Sequence, residues 1–203
     1  MNKNCQCEEV FRKGEKYWRK SKGIVEKTVD SCLGESCINH LDSAVMPSRE
    51  AVIDLLEIIR DILFPGYFEK RQIGREELPY HIGERMSVLF QKLSDQITKC
   101  IVHECRRHSQ ACQHCIDRGF EVTVEFMNRI PALRELLALD VQAAFDGDPA
   151  ARSFDEIIFC YPGFQAITVY RIAHELLTLG VPLMPRIMTE QAHGETRSEE
   201  HTS

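Results

Sequence analysis

Apolar side chains recur every three or four positions along most of this 203-residue chain, and no convincing stretch alternates residue by residue. That period predicts amphipathic helices rather than strands. The expected fold class is all-α, a helical bundle. Ser48 offers a capping hydroxyl, Glu50 falls in the first turn, and Val52, Leu55, Leu56, Ile59, Ile62 and Leu63 follow at helical spacing. Pro65-Gly66 stops that helix, and a polar linker with Gly74 and Pro79 follows. Ile82, Met86, Leu89, Leu93, Ile97 and Ile101 form a longer stripe, suited to a core or a subunit contact. A third helix is expected from near Ala111, carrying Ile116, Phe120, Phe126 and Met127. A fourth should start at Pro131, a residue favoured in the first helical turn, and run through Leu137 and Val141 towards Gly147.

Beyond Gly147 the punctuation becomes dense. Pro149 biases Asp148 away from the α region, so the helix should end there with Asp148 on extended backbone. Ser153 with Glu156 three residues on reads as a capping box for a short helix ending near Cys160. Tyr161-Pro162-Gly163 turns the chain into a helix that is apolar on most sides (Phe164, Ile167, Val169, Ile172, Leu176, Leu177), which predicts deep burial. Gly180 should close it as a left-handed C-terminal residue, with a last helix from Pro182 to His193. Residues 1–47 are less regular, since Gly14, Gly23 and Gly34 interrupt any long period; one or two short helices are expected there.

A formal net charge of −6 disfavours a nucleic-acid partner, which calls for a basic face. No apolar run approaches the ~20 residues of a membrane span, and no signal sequence follows Met1, so a cytoplasmic setting is expected. There the nine cysteines should be reduced thiols. Cys5, Cys7, Cys32 and Cys37 fit no common zinc spacing. Cys100, Cys105, Cys112 and Cys115, by contrast, crowd among His103, His108 and His114. Cys112-Gln-His-Cys115 is a C-x-x-C pair, and Cys105 precedes it across an expected helix–turn–helix. Cys105, Cys112 and Cys115 are therefore candidate zinc ligands, against the plainer reading of small buried residues at a helix junction.

Other polar residues have structural readings. Arg171 and Glu175 at i,i+4 suggest a surface or interface pair. His174 and His193, on largely apolar helices, are expected to be hydrogen-bonded structural histidines. Asp148 alone could be no more than a turn residue.

Several separated pieces then occur together: Asp140-Val-Gln-Ala-Ala, Asp148-Pro-Ala, Ser153-Phe-Asp-Glu-Ile, Tyr161-Pro-Gly and Tyr170-Arg-Ile-Ala-His174. In this order and with these gaps they closely resemble the segment of bacterial serine O-acetyltransferases just before their left-handed β-helix. The match is dense from about Ile130 to Thr196. The resemblance implies a helical N-terminal domain over residues 48–196, preceded by a poorly defined 1–47. Such enzymes transfer acetyl from acetyl-CoA to L-serine, giving O-acetylserine for cysteine synthesis. The aspartate before Pro-Ala binds the substrate serine in that family, which here is Asp148. The family's catalytic base and its acetyl-CoA site belong to the β-helix. That coil is expected to be absent, with Arg197–Ser203 a non-native tail and the fragment inactive alone. Further implications are a homo-oligomer built as a dimer of trimers, through stripes such as Ile82–Ile101, and O-acetylserine sulfhydrylase as a partner. A competing reading is a non-enzymatic helical oligomerisation module, possible also as a zinc-stabilised one.

Overall fold

The structure is a computed structural model that describes residues 4–34, 36–41, 46–107 and 114–197. Eight helices and no strands are found among the described residues. The chain divides into two compact units, Met1–Ser43 and Ala44–Ser203. The first holds α1 (Asn4–Lys20) and α2 (Lys22–Leu33). Gly14 and Gly23 lie inside these helices and do not break them. Their apolar residues, among them Phe11, Trp18, Ile24 and Leu33, are exposed.

The second unit is a bundle of α3 (Arg49–Leu63), α4 (Leu78–Arg107), α5 (Cys115–Gly147), α6 (Phe154–Cys160), α7 (Pro162–Thr178) and α8 (Met184–Arg197). Ser48 caps α3 as expected, its Oγ accepting from Ala51 N–H at 3.1 Å. Gly66 takes φ +89° just past its end, a conformation open to glycine at little cost. Arg134, from the middle of α5, donates to the carbonyls of Ile62 at 3.0 Å and of Leu63. It thereby satisfies acceptors that α3 leaves open and places a cation against the negative end of its dipole. Pro79 falls in the first turn of α4 rather than in the linker, where its missing N–H costs nothing.

The stripe on α4 is core. Leu89, Leu93 and Ile97 are fully enclosed against α3 and α5, while Ile82, Met86 and Ile101 are only partly buried. The expected break at Pro131 does not occur either: α5 runs unbroken for 33 residues with Pro131 inside it. Pro131 forfeits one i→i−4 bond. Ile130, Leu133, Leu137 and Val141 bury a continuous face across it, and that packing holds the helix together. Helix α7 buries one face only: Phe164, Thr168, Ile172 and Leu176 face the core, whereas Ile167, Tyr170 and Leu177 are exposed. Its C-terminus closes in a Schellman motif. Gly180 sits at φ +76°, its N–H bonded to Leu177 O at 2.9 Å, and Val181 N–H bonds Leu176 O at 3.0 Å. The last helix starts at Met184 rather than Pro182, because Leu183 takes φ +60°.

Candidate functional site

The sequence places its one candidate substrate contact at the C-terminal end of α5. Asp148 is the last residue to bond back into that helix, its N–H meeting Ala144 O at 3.1 Å. Its backbone is extended, at φ −112° and ψ 103°, as the following proline requires. Both carboxylate oxygens are engaged. Oδ1 accepts from Ala150 N–H at 2.9 Å, and Oδ2 accepts from the Tyr161 hydroxyl at 2.8 Å. These donors, the Ala150 amide first and the Tyr161 hydroxyl second, hold the Asp148 carboxyl below the usual carboxylate range. The same bond pushes the Tyr161 phenol up to about 12. Asp148 is therefore ionised at neutral pH. A carboxylate oxygen has lone pairs to spare beyond one donor, so Asp148 can still accept charge-assisted bonds from an ammonium group.

Two short devices fix the loop that carries it. Ser153 Oγ accepts from Glu156 N–H at 3.1 Å, capping α6. The Glu156 carboxylate reaches back to Arg152 N–H at 2.9 Å, one residue earlier than a capping box prescribes. Pro162 opens α7 immediately after Tyr161, which fixes the backbone from which the phenol points to Asp148. Tyr161 entered the sequence reading as a turn residue only. Its partner lies 13 positions earlier, beyond the reach of any local pattern.

Arg171 and Glu175 do not pair with each other. Arg171 grips Asp140 of α5 with Nη2 at 2.6 Å and with Nε, a bidentate contact that is mostly shielded from solvent. Glu175 binds Arg129 of α5 at 2.8 Å. Both bonds therefore stitch α7 to α5. The i,i+4 expectation lost to partners whose bonds also tie two packed helices. His174 is exposed and stacks on Tyr170, with ring centroids 5.9 Å apart. His193 is exposed as well.

At the other end of α5, Cys115 is buried and its Sγ–H meets Cys105 Sγ at 3.3 Å. Cys112 and His108 lie outside the described residues. Among the described residues no three His, Cys, Asp or Glu side chains are placed to hold a metal ion. Cys100 is enclosed in the core, and burial pushes its thiol up to about 11.

Residues 88–169, which carry Asp148 and Tyr161, match the family described as "Serine acetyltransferase, N-terminal". The chain is 38% identical over 159 residues to the plasmid serine acetyltransferase of Synechococcus elongatus, covering 77% of this chain and 50% of that one. A serine acetyltransferase of Synechocystis sp. is 46% identical over 69 residues, which are 34% of this chain and 27% of the relative. The fold resembles Entamoeba histolytica serine acetyltransferase 1, solved in complex with L-cysteine, with a TM-score of 0.57 and 32% identity over 70% of this chain and 47% of that one. The class is thus the helical domain found at the N-terminus of acyltransferases. Over residues 88–169 the chain is similar to the N-terminal domain of the serine acetyltransferases. It spans about half the length of the Synechococcus relative.

Proposed function

We propose that this chain is the amino-acid-binding helical part of a serine O-acetyltransferase. The reaction moves acetyl from acetyl-CoA to the hydroxyl of L-serine, yielding O-acetyl-L-serine for cysteine synthesis in the cytoplasm. In the transfer the serine hydroxyl attacks the thioester carbonyl, CoA leaves as the thiol, and the hydroxyl proton passes to a base in the β-helical half of such enzymes. This chain's part is to hold the other end of the substrate. Asp148, ionised and fixed by Ala150 and Tyr161, accepts from the serine ammonium and so turns the hydroxyl towards the thioester.

The observation that carries this reading is that Asp148 stands ionised and held at both oxygens inside the segment matching the family. The L-cysteine bound to the Entamoeba relative adds support, since it differs from L-serine only in sulfur for oxygen. Assembly into a homo-oligomer falls to apolar faces that the bundle leaves open, such as the Ile167–Tyr170–Leu177 side of α7.

The test joins this chain, after Thr196, to the C-terminal half of the Synechococcus relative and measures CoA release with and without L-serine. Serine-dependent release is expected, and Asp148→Asn should raise KM for serine about 100-fold, the worth of a hydrogen bond between charged groups. An unchanged KM in that variant removes Asp148 from the site. Absence of serine-dependent release from the unsubstituted chimaera counts against the activity itself.

A further inference from the structure

The closed end of the α4–α5 hairpin holds a feature that acetyl transfer does not use. Gly119, one turn into α5, lies so close to α4 that a Cβ there would stand 2.1 Å from Thr98 Oγ1 and 3.2 Å from Thr98 Cα. The backbones themselves are therefore pressed together at this point. Four residues before Gly119 comes Cys115, and seven after Thr98 comes Cys105, so the same close approach brings the two thiols into contact at 3.3 Å. Neither is joined in a disulfide. The separation is shorter than the ~3.8 Å that two thiolates keep across a tetrahedral zinc ion with ~2.3 Å bonds. It exceeds by only a little over 1 Å the ~2.05 Å of a sulfur–sulfur bond.

We propose that Cys105 and Cys115 are a reversible disulfide site, oxidised by a low-molecular-weight disulfide such as glutathione disulfide. Cys105, half-buried, is the sulfur that a solvent-borne oxidant can reach, while Cys115 is only 3% exposed. The Cys105 thiolate attacks the oxidant, forming a mixed disulfide and releasing one small thiol. Cys115 then loses its proton to solvent and attacks Cys105 Sγ, forming the protein disulfide and expelling a second small thiol. Two protein thiols are oxidised and one external disulfide is reduced to two thiols. Cys100, though nearby in sequence, is a poor competitor because its enclosed thiol resists ionisation. The bond would tie the last turn of α4 to the first residue of α5.

The experiment incubates the reduced chain with glutathione disulfide, quenches by alkylation, and reads intact mass, tandem fragmentation and thermal midpoint. Expected are a loss of about 2 Da before alkylation, a bridge mapped to Cys105–Cys115, and a rise in Tm of about 5 °C or more. Cys112→Ser should keep all three. A bridge that maps instead to Cys112 or Cys100 overturns the proposal, as does a glutathione adduct that persists on Cys105 without resolving. Stoichiometric zinc on the protein as purified, lost in Cys112→Ser, would replace it with a metal site. Since the main readouts are made on the unsubstituted chain, none depends on a variant that fails to fold.

Discussion

The two ends of α5 are finished in opposite ways. At its N-terminal end the helix is pressed onto α4 so tightly that a Cβ added at position 119 would stand 2.1 Å from Thr98 Oγ1, and Cys115 disappears beneath the contact. At its C-terminal end nothing presses. Asp148 is held by an amide and a phenol, with oxygen lone pairs left over, on a loop open to solvent. One end spends its side chains on packing, and the other spends local hydrogen bonds to present a charge. A binding group belongs at the second kind of end, because burial without a partner would raise its pKa and neutralise it.

Gly119→Ala strikes hardest at the packed end. Thr98 Oγ1 can rotate away, but its Cβ and Cα, at 3.1 and 3.2 Å, must give by a few tenths of an ångström, and a net loss of about 2 kcal/mol in urea unfolding is expected, the helix propensity gained by alanine offsetting part of the strain. A loss below half of that would mean the hairpin is looser than its contacts imply. Arg171→Ala probes the region between the ends. It removes the bidentate grip on Asp140 and should cost about 1–2 kcal/mol, with a double-mutant cycle against Asp140→Ala recovering most of it as coupling. Additive losses would break the claim that this pair stitches α7 to α5.

Tyr161→Phe should change the open end by the smallest amount. Asp148 titrates below the ordinary carboxylate value, so its contribution to stability is present above that value and is lost as pH falls through the lowered folded pKa. Losing the phenol leaves only the Ala150 amide, so the carboxyl carbon of Asp148, followed by NMR, should titrate at higher pH than in the unsubstituted chain. The acid-linked loss of stability should be correspondingly smaller and complete at higher pH. An unmoved midpoint would assign the depression to Ala150 alone.

These ends also differ in how far the sequence disclosed them. Asp148 was legible, because the backbone before a proline is a one-residue rule and the cap at Ser153 is a three-residue rule. The stop at Gly66 and the left-handed Gly180 were legible for the same reason. What required tertiary contacts was not. Pro131 looked like a start because the local rule favours it there, but the buried face of α5 carries the helix through. Arg171 looked like the partner of Glu175 because both sit on one helix, while the structure gives each a partner on α5. The apolar residues of α7 were all assigned to a core that has room for one face. The contact between Cys105 and Cys115 depends on how closely two helices approach, and no spacing along the chain encodes that distance. The three-to-four-residue period correctly made the bundle helical, and composition supplied the thiols but could not pair them.

The close approach at Gly119 reaches beyond the stability of this one chain. Positions 98 and 119 share a single volume too small for both to enlarge, so they form one unit of inheritance. Among natural variants, a side chain gained at 119 should arrive together with a side chain surrendered at 98, and lineages that change only one should be scarce.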